Sequence, residues 1–162
     1  HGSARRDHHS FGFNSRLDDI QAGVLSAKLK HIGEWSDLRI TRADRYTKGL
    51  ESAGAIRLPV TKPGYRHVFH LYVVETKDPS KRDDLLGFLK DAGIDAKTHY
   101  SIAIHKQAGY PWGKEARIVG SVENAEQNAA SCVSLPMFPE LTEEEADYVI
   151  AKVMEWDAAQ GS

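Results

Sequence analysis

The 162 residues carry 41% apolar and 27% charged side chains, which excludes a disordered chain and suffices for one domain with a core, or a domain plus an arm. A net charge of −2 argues against a general nucleic-acid binder. The single cysteine, Cys132, allows no internal disulfide and points to a reducing, cytoplasmic compartment, and no apolar run approaches the roughly 20 residues of a membrane span.

Residues 1–14 read as an irregular arm, with Arg5, Arg6, His8 and His9 followed by Phe11 and Phe13 around Gly12. The two adjacent histidines invite a metal reading, but no carboxylate or cysteine stands at ligand spacing, so no metal is expected. The first residues lack a signal-peptide core and an initiator Met; the chain either starts inside a longer protein or carries a cloning remnant.

A helix is predicted over 15–54. Ser15 followed by Asp18 has the capping-box pattern, Asp18 and Asp19 suit the helix dipole, and Gly54 is a plausible stop. Leu17, Ile20, Val24, Leu25, Leu29, Ile32 and Trp35 recur at spacings of three and four as one apolar stripe. At 1.5 Å per residue such a helix is roughly 57 Å long, more than a small domain can cover. It is expected to bridge two bodies or to carry a subunit interface.

Residues 55–162 read as a small α+β domain. Ile56–Pro59 is a short extended piece, and Pro63-Gly64 marks a turn. His67–Glu75, rich in β-branched and aromatic residues on both alternating sets, is predicted as a central strand. Asp78-Pro79 opens a helix that Gly93 stops, and Ile94–Tyr100 is predicted as the next strand. Pro111, Gly109, Gly113 and Gly120 make 105–120 a loop with short helical turns. Val122–Ser131 reads as a helix, Val133–Pro136 as a final strand, and Thr142 followed by Glu145 as a capping box for the last helix. The predicted architecture is α+β: a long leading helix, then a small, mostly antiparallel sheet of about three strands with helices packed on one side.

Chemistry is sparse in the residues themselves. His67, His70, His99 and His105 lie on or after predicted strands, where each is either a titrating group or a ring satisfied by a backbone carbonyl. Cys132 is either a small core residue or a nucleophile. Asn14 and Arg16 flank a helix start with free backbone N–H groups, a combination that suits a phosphate. The competing reading is that Asn14 shapes the turn and Arg16 makes a surface ion pair.

Gly12–Ala22 resembles the segment that opens the second half of the DegT/DnrJ family, aminotransferases that use pyridoxal phosphate (PLP) and mostly act on nucleotide-linked ketosugars. The resemblance continues through Leu25–Leu29, through Arg39, Arg42 and Tyr46, and through His70–Val74. It extends over Arg82–Leu85, Gly93-Ile94, His99-Tyr100, His105, Gln107 and Ser134–Thr142. It implies the smaller C-terminal part of a fold-type-I PLP enzyme, with the cofactor lysine upstream of His1-Gly2. Eleven lysines are present, none in the family's Schiff-base context, so the isolated chain is expected to be inactive. The resemblance gives Asn14 and Arg16 the role of reaching the cofactor phosphate of the neighbouring subunit in a homodimer. It places His99, Tyr100, His105 and His70 near the nucleotide-sugar substrate, with glutamate as the amino donor. A sugar dehydratase, an amino-benzoate synthase of the same family, and a non-enzymatic dimerisation or ligand-binding module are the alternatives.

Overall fold

The computed structural model describes residues 17–108 and 117–161. The chain divides between Glu34 and Trp35 into two compact units.

In the first unit, helix α1 (Asp19–Leu29) is capped by Asp18, whose carboxylate accepts the Gln21 N–H at 2.9 Å. Asp18 is thus the cap of this helix; Ser15, expected to form a capping box with it, lies outside the described residues. The Asp18 backbone is extended and its carbonyl accepts the Ala22 N–H at 2.9 Å, the first rung of the helical ladder. A full negative charge at this position also opposes the helix dipole better than a hydroxyl does.

The periodicity predicted one helix over 15–54; two are found. At the end of α1 the His31 N–H bonds to the Lys28 carbonyl, three residues back instead of four, at 3.0 Å. This tightening closes α1, and Gly33 just beyond weakens the drive to extend its ladder. Helix α2 (Ile32–Leu50) follows and ends four residues before Gly54. Leu17, Ile20, Val24, Leu25 and Leu29, most of the expected apolar stripe, are each more than half exposed.

The second unit holds the sheet. Strands β1 (Ile56–Arg57), β2 (Tyr72–Thr76) and β3 (Cys132–Leu135) lie in the order β1-β2-β3, antiparallel throughout. The register pairs Ile56 with Thr76, Tyr72 with Leu135, and Val74 with Val133, so these side chains share one face. That face is buried under Tyr46 and Leu50 of α2, Leu85 and Leu89 of α3 (Arg82–Asp91), and Val153 and Trp156 of α5 (Glu143–Gln160). The α+β architecture predicted for the chain is present, and β2 is central as expected.

Two predicted strands are shorter than their patterns. The expected strand over 67–75 begins only at Tyr72, because Phe69 takes a left-handed φ of 45° and its N–H is drawn to the Nδ1 of His67 at 2.9 Å. The expected strand over 94–100 reduces to one bridge, Lys97 with Ser134. Turn bonds from Ile94 to Leu89 and from Ala96 to Ile94 occupy the backbone before it. Gly93 ends its helix in the left-handed region at φ 76°, as a C-terminal glycine should. The Thr142–Glu145 capping box forms with both of its bonds. No described helix is long and apolar enough to cross a membrane.

Candidate functional site

The opposite face of the sheet is polar. Register places Arg57, Glu75 and Cys132 in one cross-strand row and Val73 with Ser134 in the next. Glu75 accepts from Asn128 of α4 (Glu123–Ser131) at 3.0 Å and pairs with Arg57 at 3.4 Å. Helix α4 runs directly into β3, and Arg82 ties it to α3 by donating to the Ala129 carbonyl at 2.9 Å.

The segment after α3 is laid along this α4–β3 unit. Lys97 and Ser134 exchange both backbone hydrogen bonds, at 3.0 and 2.7 Å. The Nδ1 of His99 lies 2.9 Å from the Ser134 hydroxyl. Tyr100 follows with its ring 74% exposed, edge-on to the His99 ring at 5.7 Å. A single 3₁₀ turn (Ile104–Lys106) then brings the Nε2 of His105 to 2.9 Å from one oxygen of Glu126, and the Lys106 ammonium to 3.0 Å from the other. These two bonds hold the Glu126 carboxyl below the usual carboxylate range.

Of the residues singled out in the sequence, His99, Tyr100 and His105 lie on this one segment, with His99 held at Ser134 and His105 at Glu126. His70 sits in the exposed turn before β2 and makes none of these contacts. Asn14 and Arg16 lie outside the described residues. Sequence reasoning missed Ser134 and Glu126. Their partners stand 35 and 21 residues away, and no local spacing signals such pairs.

An exposed phenol and two held imidazoles on this segment are each able to hydrogen-bond a polar ligand. Burial pushes the Cys132 thiol up, so it stays protonated at neutral pH. Open clefts of about 450 Å³ lie against Tyr65, His67 and Phe69 and against Phe138, Leu141 and Tyr148, and one of about 440 Å³ lies against Lys97 and Thr98, beside His99. No group of His, Cys, Asp and Glu suited to a metal occurs among the described residues.

The described lysines do not fit a PLP Schiff base, which needs an amine sheltered in a pocket. All are exposed except Lys152, which is half-buried and paired with Glu155 at 2.7 Å.

Comparison with known proteins supplies what the site alone does not. The profile of the DegT/DnrJ/EryC1/StrS aminotransferase family matches residues 1–154. The chain is 40% identical to a pleiotropic regulatory protein of Geobacillus stearothermophilus, over 96% of this chain and 41% of that protein. It is also 40% identical to a dTDP-3-amino-3,4,6-trideoxy-alpha-D-glucose transaminase of Streptomyces venezuelae, over 96% of this chain and 40% of that one. Its fold superposes on the crystal structure of S. venezuelae DesV in complex with a ketimine intermediate, with a TM-score of 0.83 and 38% identity. That match covers 96% of this chain and 41% of DesV. The chain thus spans about 40% of the length of the relatives it matches. A profile match over nearly every residue, together with a superposable fold, places the chain in the DegT/DnrJ/EryC1/StrS aminotransferase family.

Proposed function

We propose that this chain is the substrate-facing part of a PLP-dependent enzyme that transfers an amino group from glutamate to a nucleotide-linked ketosugar. In the net reaction glutamate leaves as 2-oxoglutarate and the sugar carbonyl becomes an amine. The observation that carries the reading is the family match over residues 1–154, joined to a relative of 40% identity whose name is that of a dTDP-sugar transaminase. The segment supports it, because the exposed Tyr100 and the held imidazoles of His99 and His105 suit the hydroxyls and phosphates of a nucleotide sugar. His70 is assigned to the outer edge of the same substrate.

In this reading PLP supplies the amino-carrying chemistry when bound, and residues outside the described ones hold it. Asn14 and Arg16 reach the cofactor phosphate of a second subunit, so the working form is a cytoplasmic homodimer. The isolated chain is inactive, because no described lysine is placed to hold the cofactor covalently.

The test is to supply the protein from its complete gene with PLP, glutamate and a panel of dTDP- and UDP-linked ketosugars, and to read amination by mass spectrometry. Amino sugar from the complete protein and none from residues 1–162 alone is the expected result. A complete protein that leaves every ketosugar unchanged overturns the reading. It would favour a regulatory role, which the name of the Geobacillus relative makes the second reading.

A further inference from the structure

We infer that Glu126 is a positioning residue, whose carboxylate clamps the 3₁₀ turn Ile104–Lys106 and thereby fixes where His105 and Tyr100 meet the substrate. The inference rests on the aminotransferase reading for its catalytic consequence, but not for its structural one.

The turn is short, and Glu126 is one of the groups that hold it. It is three residues long with no side-chain cap. Its backbone contributes the bonds Lys106 to Ala103 at 2.8 Å and Gln107 to Ile104 at 3.2 Å. Ile104 is 71% exposed, whereas Ala103 just before the turn and the His105 side chain are largely buried. Glu126 engages two consecutive side chains of the turn, with one carboxylate oxygen for each. Two charge-assisted contacts converging on one planar acceptor define a direction as well as a distance.

The helix that carries Glu126 is well anchored. Ala129 and Ser131 of α4 are buried, Asn128 bonds to Glu75, and Arg82 holds the Ala129 carbonyl. Helix α4 is therefore the fixed member and the turn is the member being positioned. At its other end the segment is held by His99 on Ser134, which leaves the exposed Tyr100 spanning two tethers. Nothing in the Glu126 contacts involves a reacting atom, so its effect passes through the turn. In this proposal the nucleotide part of the sugar substrate, which the small amino donor lacks, lies against this segment.

The experiment compares Glu126→Ala and Glu126→Gln with the parent in the complete protein loaded with PLP. Glu126→Ala should raise KM for the nucleotide ketosugar by about tenfold or more while KM for glutamate stays within about twofold. Glu126→Gln keeps an acceptor for His105 but loses the charge that holds Lys106, and should fall between. Hydrogen–deuterium exchange should quicken at residues 99–107 in Glu126→Ala, with exchange in α5 unchanged. Equal losses for both substrates, or unchanged KM for both, would overturn the positioning role. Should the parent aminate no ketosugar, the functional reading fails and the exchange arm decides alone: unaltered protection at 99–107 sinks the clamp.

Discussion

His99 and Ser134 are joined by a 2.9 Å hydrogen bond although 35 residues separate them in the chain. Ser134 is 3% exposed and already exchanges two backbone bonds with Lys97, so its side chain and its main chain both serve the same neighbouring segment. Replacing Ser134 by Ala removes the hydroxyl and leaves the His99 nitrogen without its partner in a half-buried place. The expected cost is about 1 kcal/mol in urea denaturation. Exchange should quicken at residues 97–100 and remain unchanged in α3.

Gly49 in α2 sets how closely α5 can approach. A Cβ built there would stand 2.7 Å from Cδ1 and 2.8 Å from Cγ2 of Ile150. Gly to Ala ordinarily favours a helix by about 1 kcal/mol, whereas overpacking costs about 1–3 kcal/mol. Because the β-branched Ile150 has one contact on its Cγ2, rotation of the chain tip alone does not relieve the clash, and Gly49→Ala is expected to destabilise. Adding Ile150→Ala should recover part of the loss. A single Gly49→Ala variant that melts above the parent would refute this packing argument.

Arg45 links α2 to the first turns of α5. It donates to both oxygens of Asp147, at 2.6 and 2.7 Å, and to Glu143 at 2.7 Å. The guanidinium holds the Asp147 carboxyl below its ordinary value of 3.8. A carboxyl whose folded value is depressed contributes stability above its unfolded value, and that contribution is lost as pH falls through the folded value. The gap in denaturation midpoint between the parent and Asp147→Asn is therefore expected to be present at neutral pH and to close below about pH 4. Since the pair lies on the surface, the gap should also narrow in about 1 M salt. A gap that persists unchanged in acid would show that Arg45 is not its source.

Tyr46 is fully buried, and its hydroxyl donates to the Pro136 carbonyl at 2.9 Å. Burial also pushes its phenol well above the usual tyrosine range, so it remains a donor at any working pH. Tyr46→Phe keeps the ring, which packs 5.1 Å from that of Tyr72, and orphans the carbonyl. The expected loss is about 1–2 kcal/mol, read as a lower urea midpoint with unchanged slope.

Local devices were legible in the sequence. The Thr142–Glu145 capping box, the Asp78-Pro79 helix start and the left-handed Gly93 each close within a few residues, and each appears in the structure. Legibility failed where the deciding bond came from farther away or competed locally. His67–Glu75 has the composition of one strand, yet the bond from the Phe69 N–H to His67 bends the first half out of the sheet. Gly54 looked like a helix stop; instead its N–H and that of Ala55 are held by the Asp157 carboxylate at 2.9 and 2.6 Å, 103 and 102 residues away.

The candidate site divides the same way. His99, Tyr100, His105 and His70, like Asn14 and Arg16, are assignments from the family's order of motifs. That His99 rests on Ser134 and His105 on Glu126 is a product of tertiary pairing. By itself the sequence determined the family, the α+β class and the helix caps, because these depend on motif order and on hydrogen bonds spanning three or four residues. The tertiary structure alone decided which strand residues pair and which side chains hold the histidines. Those outcomes depend on contacts across tens of residues, where periodicity carries no register.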